Sequence, residues 1–269
     1  MTIFISSLAI ALVAALCLVL VNRRRFAARV AGEMRALLAL PPSDQPQPYP
    51  SELPAPVRRY RDLAVGDRAP VHSLRLHHGG TFRLSPTAKE LPIRGDQLFT
   101  GDPPGYVWTG HIHMGPGIWI DARDMAAAGK GSMRVLIDDT IVIADAHGPQ
   151  LDQGAGLRLL AEMPWYPTAL FDARYVTWSA IDADHAEATL RFGSTNVTGV
   201  FAFGPDGLPS AISGRRFNDQ GQLLPWGGIY RDFRSVSSMR VPFEVEVTWE
   251  LKSGPYTYAH WRIDSFELD

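Results

Sequence analysis

The stretch VPFEVEVTWELK, residues 241–252, alternates apolar and polar side chains without a break. Its apolar members are Val241, Phe243, Val245, Val247, Trp249 and Leu251. Successive side chains of a β-strand point to opposite faces of a sheet, so this period of two fits a strand and not a helix. The stretch therefore predicts a strand with one buried face and one face in water.

A weaker form of the same alternation recurs along most of the chain after residue 70. It predicts further strands at residues 72–77, 81–85, 105–114, 117–123, 132–137, 140–145, 174–180, 186–192, 196–204, 208–217, 223–234 and 257–267. Turn sequences separate them, among them His78-Gly79-Gly80 and Asp138-Asp139. Strands joined by short turns pair antiparallel, because parallel neighbours need a long crossover. A change in the apolar phase of the last strand predicts a β-bulge near Asp264 and Ser265.

One helix is predicted within this series of strands, at residues 151–163. The segment that follows it places Trp165 and Tyr166 between Pro164 and Pro167, which predicts an extended backbone that fixes the direction of two large side chains. The predicted fold class is mainly β: a large curved antiparallel sheet, as a half-barrel or open barrel, with a short covering helix and a preceding N-terminal transmembrane helix.

Residues 3–21, IFISSLAIALVAALCLVLV, contain no charged side chain. As a helix this run has about the length needed to cross the hydrocarbon layer of a bilayer. No basic residue precedes it and Arg23, Arg24 and Arg25 follow it, which favours an uncleaved single-span anchor over a signal peptide. By the positive-inside bias, these arginines predict a protein of the cytoplasmic (inner) membrane with its body on the cytoplasmic side. The predicted organisation is a transmembrane anchor (1–22), a basic helix and proline-rich linker (23–50) and an antiparallel β domain (51–269).

Composition excludes several classes of function. The chain has 269 residues, of which 46% are hydrophobic and 20% charged, as in ordinary globular proteins. Its formal net charge is −2, and the basic residues after the apolar run leave a moderately acidic body, which argues against nucleic acid as a partner. Because Cys17 is the only cysteine and lies in the apolar run, the body has no disulfide, cysteine zinc site or catalytic thiol. No cofactor is predicted.

Three groups of residues are candidate functional sites. His111 and His113 share a strand face, but a metal site would need a third ligand, and no metal is predicted. Glu162 ends the predicted helix, either as a perturbed carboxylate or as an acid that is paired with an arginine such as Arg158 or simply solvated. The many aromatic side chains either fill the core or line an apolar cavity. The predicted ligand-binding residues are Trp108, Leu157, Leu160, Glu162, Trp165, Tyr166, Trp178, Phe201, Phe203 and Trp249.

Several motifs carry a resemblance to a known family. They are LPAPVRRY (53–60), LAEMPWYPTAL (160–170) and the long stretch PWGGIYRDFRSVSSMRVPFEVEVTW (225–249). With these motifs the chain resembles a bacterial domain-of-unknown-function family over about residues 51–269, although Ser238 stands where that family usually has glycine. The order of hairpins, one helix and a closing strand is also similar to the half-barrel of periplasmic (LolA-like) lipoprotein carriers. That similarity implies a sheet and helix that enclose acyl chains, and a body outside the cytoplasmic membrane.

The functional expectation is a membrane-anchored, non-enzymatic protein that binds an apolar or lipid-like ligand between sheet and helix. Leu157 and Leu160 would form a lid, and Trp165 and Tyr166 would line or gate the cavity. Two alternatives remain open from the sequence. One is a hydrolase that uses Glu162 in a cleft, and the other is an envelope scaffold with a solid core.

Overall fold

The structure is a computed structural model that describes residues 2–44, 49–50, 52–66 and 69–268; for residues 2–9, 11 and 12 it describes the backbone alone. Two helices come first, α1 (Thr2–Leu38) and α2 (Ala55–Ala64). Six strands follow: β1 (Ser73–Phe82), β2 (Leu91–Gly101), β3 (Pro104–Gly115), β4 (Ile118–Ala127), β5 (Lys130–Ile137) and β6 (Ile141–His147). Next come α3 (Pro149–Glu162), a 3-10 turn (Met163–Trp165) and the short α4 (Pro167–Leu170). The chain continues with β7 (Val176–Ala180), β8 (His185–Phe192), β9 (Thr195–Phe203), β10 (Pro209–Phe217), β11 (Leu223–Val236), β12 (Met239–Leu251) and β13 (Gly254–Leu268).

The strands form one curved antiparallel sheet in the order β6-β5-β4-β3-β2-β1-β13-β12-β11-β10-β9-β8-β7. Two meanders, β1–β6 and β7–β13, join where β1 pairs with β13. The helical segment from α3 to α4 runs from one edge strand to the other, and α3 packs on strands of both meanders. The mainly β, curved antiparallel fold with a short covering helix is therefore confirmed.

The strand predicted from VPFEVEVTWELK is confirmed as β12, with Val241, Val245 and Val247 buried. The predicted bulge is also present. His77 pairs with Ser265 and His78 pairs with Ile263, so that Asp264 is the extra residue on β13.

The predicted turn at His78-Gly79-Gly80 is wrong, because β1 continues through all three residues. A Cβ atom on Gly80 would lie 1.9 Å from the His260 carbonyl oxygen, and Gly80 has a φ of +137°. The glycine is therefore needed for the close approach of β13 and not for a reversal of the chain. The alternation also missed β2, whose Gly95 faces the His78 ring with no room for a side chain.

The extended segment predicted around Trp165 is also wrong. Met163–Trp165 is a 3-10 turn, and the chain turns again into α4 directly after Tyr166. Pro164 and Pro167 each stand in the first turn of these short helices, where the missing N–H costs nothing. Both aromatic side chains are buried.

Helix α1 begins in the segment that was predicted to span a membrane. For residues 3–9, 11 and 12 of the predicted span, 3–21, the side chains lie outside the described structure. Among the residues that were described, no helix has the length and apolar character to cross a bilayer. Further along, Val30 and Leu37 of α1 pack on Leu98 and Val107, on the sheet face opposite α3.

Candidate functional site

A cavity of about 250 Å³ lies between α3 and the concave face of the sheet. Strands of both meanders form its walls, and one face of α3 covers it. The lining residues are Phe82, Leu84, Trp108, Ile112, Ile120, Ala122, Asp124, Met133, Val135, Ile143, Arg158, Ala161, Glu162, Trp165, Ile212, Arg216, Trp226, Gly228, Tyr230, Val245, Val247, Tyr258 and Trp261. Most of these side chains are apolar, so the cavity favours an apolar occupant.

Four tryptophan rings form much of the wall, and three of them have their indole N–H bonded within the protein. Trp108 donates to His78 Nε2 at 2.8 Å, Trp165 to the Pro242 carbonyl at 3.0 Å, and Trp226 to the Tyr258 hydroxyl at 3.1 Å. These bonds satisfy the polar edge of each ring without help from a ligand. The rings can then present apolar surface to the cavity.

The charged side chains of the cavity lining other than Arg216 belong to one buried polar group, here called the Arg158 network, which consists of Arg158, Asp124, Glu162 and Gln97. Arg158 Nη1 donates to Asp124 Oδ2 at 2.7 Å, and its Nε donates to Glu162 Oε1 at 2.8 Å. Gln97 Nε2 donates to the second oxygen of Glu162 at 2.7 Å. The Arg158 guanidinium also lies over the rings of Tyr106 and Trp108, 4.8 Å from each centroid.

The charges of this network are set by burial and by their partners. Burial raises the pKa of Glu162 above its ordinary value, and Arg158 and Gln97 oppose that rise. The sequence offers a perturbed carboxylate and a pairing with Arg158 as alternatives for Glu162, and in the structure they occur together. Asp124 Oδ1 is buried and accepts no hydrogen bond within the described residues, so it remains available to a donor on a ligand.

Arg216, on β10, is a second cation in the cavity wall. Its guanidinium stacks on Trp226 and Trp249, with centroid distances of 5.3 and 5.9 Å. Nε donates to the Gly154 carbonyl at 3.1 Å, and no carboxylate of the described residues pairs with it. This arrangement holds a positive charge at the wall without a counter-ion among the described residues.

His78 supports the cavity from behind Trp108. Its Nε2 accepts the Trp108 N–H, which places its own proton on Nδ1, 3.3 Å from the Gly79 carbonyl oxygen. Burial lowers the pKa of His78 to about 4, although the Gly79 carbonyl opposes the change, and the charge of Arg158 lowers it further. The imidazole is therefore neutral at physiological pH.

Three of the predicted ligand-binding residues, Trp108, Glu162 and Trp165, line the cavity. The other seven lie away from its walls: Leu157, Leu160, Tyr166, Trp178, Phe201, Phe203 and Trp249.

Packing explains these other positions. Leu157 and Leu160 lie against Gly214 and Gly199, where α3 meets β10 and β9. Tyr166 packs on Phe99, with ring centroids 4.6 Å apart.

Trp178, Phe201 and Phe203 pack on one another in an aromatic cluster, which adjoins the cavity wall where Phe201 stacks on Tyr230. Tyr60 of α2 packs on Phe203, 6.1 Å between centroids. Trp249 packs against the guanidinium of Arg216, which itself lines the cavity. The interior is thus divided into a solid part and an open part.

The ligand-binding residues predicted from the sequence do not include Asp124, Gln97, Arg216 or the aromatic residues of β11 and β13. One signal was available for Asp124, because it shares a strand face with Ile120 and Ala122 and so places a charge on an apolar surface. The register of β4 with its neighbours was needed to see which cation it meets.

His111 and His113 are both exposed. His111 Nδ1 lies 2.7 Å from Asp121 Oδ1, and among the residues described no cluster of three or more His, Cys, Asp or Glu side chains could hold an ion.

Comparison with solved structures gives several distant likenesses of fold. The LolA superfamily protein NE2245 from Nitrosomonas europaea aligns with a TM-score of 0.40 and 12% identity, over 81% of this chain and 94% of that one. A DUF1329 family protein from Desulfovibrio piger aligns with a TM-score of 0.46 and 10% identity, over 80% of this chain and 90% of that one. An outer membrane lipoprotein-sorting protein domain from Vibrio parahaemolyticus aligns with a TM-score of 0.42 and 9% identity, over 73% of this chain and 85% of that one.

In sequence, no curated protein matches the chain significantly. A family profile does match, over residues 45–261. The chain therefore belongs to DUF6544, a family of unknown function.

Proposed function

We propose that this protein binds an apolar or lipid-like ligand with a single acyl chain in the cavity under α3, without transforming it. The observation that carries the proposal is the cavity itself: about 250 Å³ of open space in the interior, walled mainly by apolar side chains. This volume is just below the range of about 300–1,000 Å³ typical of ligand pockets, which suits one chain better than two. Burial of such a chain stabilises the complex by about 0.8 kcal/mol per methylene.

The polar groups of the cavity suit the head of such a ligand. Arg216 holds a positive charge at the wall without a carboxylate partner among the described residues, so it favours an anionic head such as a carboxylate. A neutral hydrocarbon would leave that charge unpaired.

The geometry of Glu162 supports binding rather than hydrolysis. One of its carboxylate oxygens accepts from Arg158 and the other from Gln97. Glu162 thus serves as the counter-ion of a structural cation, and not as a base directed at a substrate. The open cavity likewise argues against the alternative of a solid-cored scaffold.

Residues 3–21 would hold the protein at the membrane as a single span. By the charge of Arg23, Arg24 and Arg25, the body would lie on the cytoplasmic side of the cytoplasmic membrane. Protease accessibility of a C-terminal tag in intact spheroplasts tests this placement. Digestion of the tag would show that the body lies on the outer side of the membrane.

Intrinsic fluorescence tests ligand binding directly, because four of the seven tryptophans line the cavity. A fatty acid brominated along its chain should quench the full-length protein saturably. Ala122→Phe fills the cavity and should abolish saturation, whereas Ala202→Phe should not. Ala202 alternates with the buried Phe201 and Phe203 and so points away from the interior. Absence of saturable quenching in the wild type would refute the proposal.

A further inference from the structure

The C-terminal half of α1 is fixed to the sheet. Val30 and Leu37 pack on β2 and β3. In addition, Glu33 Oε2 forms an ion pair with Arg123 Nε of β4 at 3.2 Å. The Arg123 side chain is only 7% exposed and also donates to the Ser132 carbonyl at 2.8 Å. The direction in which α1 leaves the body is therefore determined by these contacts.

At the other end of this contact, α1 meets the turn between β5 and β6. Asn22 Nδ2 donates to Thr140 Oγ1 at 3.3 Å, and that hydroxyl donates to the Asp138 carbonyl at 2.9 Å. Asn22 immediately follows the uncharged run of residues 3–21. If that run enters a bilayer, the β5–β6 turn lies at the bilayer surface.

Large apolar side chains are exposed at this same end of the sheet. The set, here called the hairpin patch, consists of Met114, Ile118, Ile141, Val142 and Ile143, which are between 43% and 59% exposed. They come from two neighbouring hairpins, β3–β4 and β5–β6, which the pairing of β4 with β5 holds side by side. Large apolar side chains exposed on neighbouring hairpins in this way mark a site of contact with a partner or a membrane.

The hairpin patch is continuous with the cavity. Ile143 belongs to both, and the cavity-lining Ile112 and Ile120 lie two residues along their strands from Met114 and Ile118. An apolar path therefore runs from the exposed hairpins to the interior.

We propose that the hairpin patch rests on the lipid bilayer that residues 3–21 enter, so that an acyl chain passes between bilayer and cavity without crossing water. The inference rests on the proposed membrane span and on the proposed ligand. Arg23, Arg24 and Arg25 follow Asn22 directly and would lie at the level of the lipid head groups, where each basic side chain contributes about 1 kcal/mol to binding an anionic surface.

The contact is tested with full-length protein in proteoliposomes, in a Cys17→Ser background that removes the only native thiol. An environment-sensitive fluorophore is attached at Ile118→Cys, Ile141→Cys or, as a control of similar exposure on β11, Ile229→Cys. We expect brominated lipids to quench the labels at 118 and 141 and not the label at 229. Equal quenching at all three positions, or none at any of them, would overturn the proposal.

A second measurement separates this inference from the proposed function. Ile118→Glu with Ile141→Glu should slow the transfer of a brominated fatty acid from vesicles to the protein by about tenfold. Equilibrium binding of the same fatty acid from solution should be unchanged, because neither side chain lines the cavity. Unchanged transfer would count against the hairpin patch alone, whereas loss of binding in the wild type would count against the ligand.

Discussion

Replacement of His78 by glutamine should remove a large part of the acid sensitivity of the fold. The folded protein keeps this imidazole neutral down to a pKa of about 4, whereas an unfolded histidine titrates near 6.5. Between these two values the unfolded chain binds the additional proton, so stability falls as the pH is lowered through this window. A difference from 6.5 to about 4 corresponds to about 3 kcal/mol of unfolding free energy lost by pH 4.

The structural reason is that protonation gives His78 Nε2 a hydrogen where it now accepts the Trp108 N–H at 2.8 Å. Glutamine offers an amide oxygen as acceptor for the same indole and does not titrate. The free energy lost between pH 7.5 and pH 4 should therefore be about 3 kcal/mol smaller in His78→Gln than in the wild type.

Urea unfolding of the full-length protein, followed by tryptophan fluorescence at both pH values, measures this difference. His113→Gln is the matched control, because His113 is an exposed histidine of the same sheet. Its loss of stability on acidification should equal that of the wild type. If His78→Gln lost as much free energy as the wild type, His78 would not be a buried neutral base and the account of its environment would be wrong.

Two further predictions concern the cations of the cavity. Arg158→Met leaves the carboxylates of Asp124 and Glu162 buried without their cation, and we expect a loss of about 3–5 kcal/mol in urea unfolding at pH 8. The loss should be smaller at pH 5. Without Arg158 the raised pKa of Glu162 rises further, and a protonated Glu162 carries no buried charge. An equal loss of unfolding free energy at both pH values would contradict this expectation. Arg216→Gln should weaken binding of a brominated fatty acid by roughly ten- to a hundredfold, the equivalent of about 1.5–3 kcal/mol for a hydrogen bond to a charged group. It should leave the affinity for the matching fatty alcohol unchanged. Arg215 is an exposed residue next to Arg216 on the same strand, so Arg215→Gln should change neither affinity. Titrations of fluorescence quenching measure both affinities.

Local patterns predicted those parts of the fold that depend on a few neighbouring residues. The alternation of residues 241–252 predicted β12, and the change of phase near Asp264 predicted its bulge. The Asp138-Asp139 turn followed from two residue types that tolerate the positive φ values of +49° and +56° found there. In each case the deciding interactions lie within one strand or one turn.

Local patterns gave wrong predictions where one pattern fits two different structures. Two consecutive glycines permit a turn, but they also permit close approach by another strand, and only the position of β13 shows that Gly80 serves the second purpose. Likewise, Pro164 and Pro167 are compatible with an extended segment or with the first turn of a short helix. The choice depends on tertiary packing of Trp165 and Tyr166.

Only part of the candidate site could be predicted from the sequence, because its residues come from distant parts of the chain. Arg158 and Glu162 are four residues apart on one helix, and that pair could be proposed from spacing alone. Asp124 and Gln97, which complete the network, stand 34 and 61 residues from Arg158.

By itself the sequence determined that the protein has a mainly β body of antiparallel strands, which of their faces are apolar, and that an uncharged run precedes this body. Only the tertiary structure decided which inward aromatic rings fill the core, as Phe201 does, and which surround open space, as Trp261 does. The direction of a side chain is fixed by its place along its own strand. What that side chain meets depends on the pairing order and curvature of thirteen strands and on where α3 crosses them, and these are set by contacts between distant parts of the chain.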